Sequence, residues 1–232
     1  LRTGLRWLLT NSGVGASNLF EAGAFFRSRP GVEFPNLQHH FLAVAMNYDG
    51  TLPTHGHGFQ VHLSQMRPTS TGFVKLKSTD PRDPPRIQFN HLMTENDRLE
   101  IREGVRLTRE IIAQEALTPY RGKELAPGVD VQSDTALDAF ARASGETSHH
   151  PSCTCKMGYD DMAVVDGEGR VHGVESLRVV DASIMPKVVT ANLNAPTLMI
   201  AEKMSDLIRS KTPVSPDYRD FYRAKDFQTK QR

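Results

Sequence analysis

The feature that most constrains the fold is a change in the spacing of apolar residues near residue 90. Before this point, apolar and polar residues alternate in the segments 59–64 and 74–77, as they do in half-buried β-strands. After it, the apolar residues of the segment 94–114 recur at helical spacing, and Thr94 is a suitable N-cap. Strands followed by helices predict an α+β fold, in which helices pack against an antiparallel sheet.

The same criteria predict further elements. Three more strands are expected, at 37–46, 87–89 and 177–180. Three more helices are expected, at 1–9, from Ser133 through Phe140, and at 196–208. The turn residues at 67–72 predict that the strands at 59–64 and 74–77 form a hairpin. After Thr212 the chain becomes polar, which is typical of a tail.

Composition excludes several classes of protein. Lys and Arg number 28 against 27 Asp and Glu, so the net charge of +1 gives no electrostatic basis for binding nucleic acid. With 38% hydrophobic residues the chain is not disordered, and no apolar run is long enough to span a membrane. The two cysteines, Cys153 and Cys155, are too close in sequence to bridge each other, which favours a reducing compartment.

The densest group of polar, chemically versatile residues is the segment 148–158, and the residues alone leave three interpretations open. His149, His150, Cys153 and Cys155 could bind a metal, although their spacing matches no standard zinc module. One histidine could be a general base on a loop made rigid by Pro151. The two histidines could also be ordinary loop residues beside two buried thiols.

A second polar segment runs from Asp181 to the last predicted helix. A carboxylate lies at its start, and Asn192 and Asn194 precede the helix. A helix N-terminus presents free backbone N–H groups to an anion or a polarised carbonyl. The alternative is a capped helix with no further role.

Several motifs occur in order along the chain. They are His150-Pro151, Cys155-Lys156-Met157-Gly158, the run from Arg178 to Pro186, Asn192-Leu193-Asn194 and Ala201-Glu202-Lys203. Together they resemble the C-terminal signature of the glucose–methanol–choline (GMC) oxidoreductases, which are FAD enzymes that oxidise alcohols. The further motifs Gly13 to Asn18, Phe20 to Gly23, Gln38 to Leu42 and Val164 to Gly167 are most similar to the choline-oxidising members. The resemblance covers residues 1 to about 210.

The resemblance implies roles for individual residues. His150 would take the hydroxyl proton, and Asn192 would hydrogen-bond the alcohol oxygen while a hydride passes to the flavin. His40 would line the alcohol pocket, and Glu21 would face a quaternary ammonium group. No metal is implied. Four residues would contact the flavin: Asp181, Ala182, Leu193 and Asn194.

The resemblance also implies how the chain is organised. Residues 1–70 would end the N-terminal region and begin the substrate sheet, 71–208 would form the C-terminal domain, whose last strand and helix return to the FAD domain, and 209–232 would be a polar tail. The Gly-x-Gly-x-x-Gly fingerprint for FAD is absent, since neither Gly13-Val14-Gly15 nor Gly167-Glu168-Gly169 completes it. We therefore expect a C-terminal piece that lacks the FAD-binding half, holds FAD weakly by itself and exposes an apolar face.

The expected function is FAD-dependent oxidation of choline to betaine aldehyde, with a respiratory-chain component as the electron acceptor. The expected location is peripheral to a membrane or cytoplasmic. Three alternatives remain: another alcohol substrate within the family, a His/Cys metal-binding module, and a non-catalytic interaction protein that kept the fold.

Overall fold

The computed structural model describes residues 2–47 and 56–231, which form two compact units. The first unit takes its described residues from Leu1–Gln65, Leu99–Ser144 and Lys225–Arg232, and the second from Met66–Arg98 and Gly145–Ala224. Each unit therefore combines stretches that are far apart in sequence. The division into 1–70, 71–208 and 209–232 stays a prediction.

The first unit is organised around a three-stranded antiparallel sheet. Its strands are β1 (Phe20–Phe26), β2 (Leu37–Leu42) and β3 (Gln60–Gln65), and β2 lies in the centre. The pairing register places His40 opposite Gly23 on one side and His62 on the other. The side chains of His40 and His62 therefore project from the same face of the sheet.

The other face of this sheet packs against α2 (Glu95–Ile112). Gly104 approaches β3 so closely that an added Cβ would lie 2.5 Å from Leu63 Cδ2. Nearby, His39 Nε2 lies 2.7 Å from the hydroxyl of Thr108. The predicted arrangement of a helix on an antiparallel sheet is confirmed, and the lack of a side chain at Gly104 leaves room for Leu63 at this contact.

Two further helices belong to the first unit. α1 (Arg2–Thr10) has no buried residue, and its Leu8 and Leu9 are largely exposed. α3 (Asp134–Ser144) begins where expected, since Ser133 Oγ accepts a hydrogen bond of 3.2 Å from the backbone N–H of Ala136. Arg102 on α2 is buried and donates to Asp134 of α3 at 2.9 Å.

The second unit contains a two-stranded sheet, α4 (Asn194–Ile208) and long loops around an apolar core. The strands are β4 (Phe73–Lys75) and β5 (Arg86–Gln88), which pair with each other. The buried residues of the core are Val165, Ile184, Met185, Leu193, Ile200 and Met204. Because α4 supplies two of them and the loop just before it a third, the core fixes the N-terminal end of that helix.

The predicted hairpin between the segments 59–64 and 74–77 is wrong. β4 pairs with β5 instead, with Phe73 opposite Gln88. The turn between these two segments is bound instead by Asp97, which lies in the first turn of α2. The Asp97 carboxylate accepts hydrogen bonds of 2.8 Å from the backbone N–H groups of Thr69 and Ser70. Those amides would otherwise be available to a hairpin turn.

Two other expectations fail or fall short. The predicted strand at 177–180 is only an isolated bridge between Arg170 and Arg178. Strand β1 was not predicted, because Ala22, Gly23 and Ala24 have low β propensity. The remaining predicted strands and helices are present, with ends that differ by a few residues.

The end of the polar tail has a defined place in the first unit. Arg27 Nε donates to the Gln231 carbonyl at 2.7 Å, and Gln231 Nε2 donates to the Arg27 carbonyl at 2.7 Å. The backbone N–H of Gly31 also donates to the Phe227 carbonyl at 2.7 Å. The last residues described are thus docked beside the end of β1. Within the described residues no helix is both long and apolar enough to cross a bilayer.

Candidate active site

The second unit brings His150 and Asn192 together, although they are 42 residues apart in sequence. His150 Nε2 lies 3.2 Å from Asn192 Oδ1. His150 is half-buried and Asn192 is exposed, so the pair is anchored on one side and accessible on the other. In this orientation of the amide, the N–H at Nε2 donates to Oδ1.

The loop that carries His150 is fastened to the segment that carries Asp181. The backbone N–H groups of Cys153, Cys155 and Met157 donate to the carbonyls of the three residues of a short 3₁₀ turn, Ala182, Ser183 and Ile184, at 3.3, 3.0 and 2.8 Å. Ile184 is fully buried in the core. This ladder holds the histidine loop against the core of the unit.

Asn192 is fixed by residues on both of its sides. Leu193 is 4% exposed, and its carbonyl accepts hydrogen bonds from the Thr197 backbone N–H at 2.9 Å and the Thr197 hydroxyl at 2.7 Å. On the other side, Arg67 Nε donates to the hydroxyl of Thr190. The Asn192 side chain is therefore presented from a short segment that is held at both ends.

The predicted flavin contacts lie in these same two segments. Asp181 accepts a hydrogen bond of 2.7 Å from the Ser183 backbone N–H and so caps the 3₁₀ turn. α4 begins at Asn194 after the N-cap residue Leu193, and no side chain among residues 2–47 and 56–231 caps its first turn. Its first N–H groups are therefore free of side-chain acceptors, which suits an electron-rich group of a ligand. The roles of Asp181, Ala182, Leu193 and Asn194 stay predictions.

The backbone has an unusual conformation immediately before each of the paired residues. His149 has φ 57° and Ala191 has φ 75°. Residues other than glycine rarely adopt this left-handed region, in which the side chain crowds the backbone. Sequence reasoning missed both positions, because alanine gives no signal of a positive φ and histidine adopts one too rarely for it to be predicted.

The predicted substrate residues His40 and Glu21 belong to the first unit. The ring of Phe20 meets the ring of His40 edge-on, with centroids 5.9 Å apart. Glu21 is exposed at a bulge in β1, and its carboxylate accepts a hydrogen bond from the hydroxyl of Ser17. The roles of His40 and Glu21 stay predictions.

His62 is a candidate that sequence reasoning passed over. It lies opposite His40, and Phe20 also meets it edge-on at 6.4 Å. Burial, followed by the charge of His40, lowers the pKa of His62. Gln60 Nε2 lies 2.7 Å from His62 Nε2. The alternation at 59–64 places His62 and Gln60 on one face of the strand. The pairing register with β2 is the further information needed to place His62 beside His40.

The metal-binding alternative gains no support. Within residues 2–47 and 56–231, no three His, Cys, Asp or Glu side chains are grouped as metal ligands. The backbone N–H of His149 donates to Thr147, and both cysteines are free thiols. Cys153 and Met157 pack against the apolar core.

Comparisons with known proteins agree on one family. A family model described as GMC oxidoreductase matches residues 68–201, which is more than half of the chain. An "Oxygen-dependent choline dehydrogenase" of Pseudomonas fluorescens (strain SBW25) is 59% identical over 223 residues, covering 96% of this chain and 39% of that protein. One from Pseudomonas putida (strain GB-1) is 56% identical over 227 residues, covering 98% and 40%. The chain thus spans about two fifths of the length of these relatives.

Solved structures show the same fold. Pyridoxine 4-oxidase from Mesorbium loti matches with a TM-score of 0.74 and 29% identity, over 82% of this chain and 38% of that one. A variant formate oxidase of Aspergillus oryzae RIB40 matches with a TM-score of 0.80 and 24% identity, over 90% and 41%. At that identity the second match supports the fold alone.

Proposed function

This chain belongs to the GMC oxidoreductase family, and we propose that the protein containing it uses FAD to oxidise choline to betaine aldehyde. The observation that carries the proposal is the 3.2 Å contact between His150 and Asn192 at the start of α4. The identity of 59% to a choline dehydrogenase supports the choice of substrate. Another alcohol within the family remains the alternative.

The residues present fit the flavin end of FAD. The uncapped first turn of α4 offers N–H groups to a carbonyl edge, and the positive end of the helix favours negative charge there. Leu193, Asn194 and the backbone at Asp181 and Ala182 would hold the cofactor. FAD would supply the hydride acceptor.

His150 is proposed as the base that removes the hydroxyl proton, because hydride leaves an alkoxide far more readily than an alcohol. A base at Nε2 needs its lone pair free for the hydroxyl proton, so the ring would carry its own proton on Nδ1 and the Asn192 amide would leave Nε2. Asn192 would instead donate from Nδ2 to the alcohol oxygen, and the alkoxide would keep that hydrogen bond after the proton has moved to His150. The amide can hold this position without titrating.

We also propose that Glu21 and Phe20 recognise the quaternary ammonium group of choline. Such a cation has no N–H to donate, so it is bound by carboxylate charge and aromatic rings. Glu21 is oriented by Ser17, and Phe20 lies against two histidines. Burial lowers the pKa of His62, which favours the neutral ring that a cation can approach.

The electron acceptor has two candidates. The names of the curated relatives state oxygen dependence. A respiratory-chain component, which the family resemblance implies, is the other. Rapid reoxidation of the reduced protein by air would identify oxygen as the electron acceptor. Reoxidation by a quinone but not by air would identify a respiratory-chain component. The peripheral or cytoplasmic location stays a prediction.

The function is tested by anaerobic reduction of the flavin bound to the intact protein. Choline should bleach the oxidised flavin absorbance, while glucose and methanol should not. Bleaching by a different alcohol and not by choline would keep the reaction and discard the substrate. A protein without flavin, or one that no alcohol reduces, would overturn the proposal.

A further inference from the structure

We propose that Ala191 and His149 are positioning residues, whose left-handed backbone conformations aim Asn192 and His150 at each other. The geometric part of this inference stands on the structure alone, whereas its catalytic meaning rests on the proposed function. Each residue of the pair directly follows a non-glycine residue with positive φ. Such conformations persist where the surroundings enforce them. Seven other described non-glycine residues also have a positive φ, and what distinguishes His149 and Ala191 is their place directly before the two paired residues.

On the Asn192 side, the surroundings that enforce φ 75° at Ala191 are visible. The preceding Thr190 is held by Arg67, which comes from a stretch more than 120 residues earlier. The following Leu193 is buried, and Thr197 binds its carbonyl twice. With both flanks fixed, the backbone at Ala191 decides where the Asn192 side chain points.

The His150 side is built in the same way. The backbone N–H of His149 donates to Thr147 Oγ1 at 3.1 Å, which fixes the chain before the positive φ. Pro151 then restricts His150 to extended conformations. Beyond it, the ladder that starts at Cys153 ties the loop to the core. His149 is therefore the residue at which the chain turns to present His150.

Substitutions at Ala191 test whether its backbone conformation positions the Asn192 side chain. Glycine adopts positive φ without cost, whereas a β-branched residue is strongly disfavoured there. Ala191→Gly should therefore preserve the pair, and Ala191→Val should disrupt it. Ser176, with φ 60° in another loop of the same unit, provides the matched control, because Ser176→Val imposes the same backbone conflict away from the pair.

The test measures the His150 ring by ¹⁵N NMR in the intact protein with its flavin, using ¹⁵N-labelled histidine and assigning the signal by its loss in His150→Ala. Asn192→Leu defines the signal of an unpaired ring. We expect Ala191→Val to move the signal to the Asn192→Leu position, and Ala191→Gly and Ser176→Val to leave it at the wild-type position. An unchanged signal in Ala191→Val, or an equal shift in Ser176→Val, would overturn the proposal.

A second variant keeps the test decisive if Ala191→Val does not fold. Thr190→Val keeps the side-chain shape but removes the acceptor for Arg67, so it should also shift the His150 signal toward the unpaired position. A wild-type signal in Thr190→Val would then count against the proposal. Because the readout is not activity, a wild-type protein that shows the paired ring but oxidises no alcohol would refute only the proposed function.

Discussion

Replacing Asp97 should destabilise the second unit more than any surface carboxylate substitution. Asp97 is 0% exposed, and its carboxylate accepts hydrogen bonds of 2.8 Å from Thr69 N, Ser70 N and Thr69 Oγ1. An asparagine can accept from one of the two backbone amides, but its NH₂ group would face the other. One part-buried N–H then lacks an acceptor, at about 1–3 kcal/mol, and charge assistance is lost from the rest. We expect Asp97→Asn to lower the free energy of unfolding by about 2–4 kcal/mol at pH 7.

The pH dependence gives a second signature. Burial by itself raises the pKa of Asp97, but the hydrogen bonds from Ser70 and Thr69 outweigh it and hold the pKa below its usual value. The charged form therefore stabilises the folded state above the unfolded carboxyl pKa of about 3.9. This contribution is lost as the pH falls through the lower pKa of Asp97 in the folded state. The free energies of unfolding of wild type and Asp97→Asn should therefore converge in that pH range.

Unfolding by urea, monitored by circular dichroism, measures both effects. When the dependence of the free energy of unfolding on urea concentration is unchanged, the midpoint concentration of urea falls in proportion to that free energy. Asp80→Asn is the control, since the Asp80–Arg82 pair is exposed and solvent screens its charges, so that it should contribute little to stability. The reasoning is refuted if Asp97→Asn shifts the midpoint no more than Asp80→Asn does, or if its deficit is the same at pH 7 and pH 3.

Three further outcomes are expected. His150→Ala should slow flavin reduction by choline at least about 100-fold while flavin content is kept, with His91→Ala as a control that reduces normally. Glu21→Gln should raise the KM for choline but not for the uncharged isostere 3,3-dimethylbutan-1-ol, and an equal change for both alcohols would remove the charge role. Burial, followed by the charge of His40, lowers the pKa of His39 to about 4, so protonation favours the unfolded chain and stability should fall as the pH drops from about 6.5 to 4. His39→Gln should flatten that part of the stability curve, and an unchanged slope would contradict the assignment.

The elements predicted best from the sequence are those whose information is local. The apolar spacing and the capping residues Thr94 and Ser133 place α2 and α3 correctly, because both caps form the expected hydrogen bonds. β1 could not be predicted from the sequence, because its stability comes from pairing with β2 and not from the β propensity of its Ala- and Gly-rich sequence. The hairpin prediction failed because Asp97, which accepts the hydrogen bond from the Thr69 backbone N–H, lies 28 residues further along the chain.

The candidate site shows the same division. The motifs located His150 and Asn192, and the structure brings them to 3.2 Å from each other. The means of holding them could not be predicted, since the Arg67–Thr190 hydrogen bond beside Ala191 joins residues 123 positions apart in sequence. His62 becomes recognisable only when the register of β2 and β3 is known.

The interleaving of the two units restricts how this part of the protein could have changed during evolution. The chain passes from one unit to the other four times, after Gln65, Arg98, Ser144 and Ala224. A single recombination event could not exchange, duplicate or delete either whole unit without also including part of the other. One of the crossings falls inside α2, where an insertion would also interrupt a helix. Variation is therefore expected to accumulate by point substitution and by changes in loop length, and the units should have been inherited together.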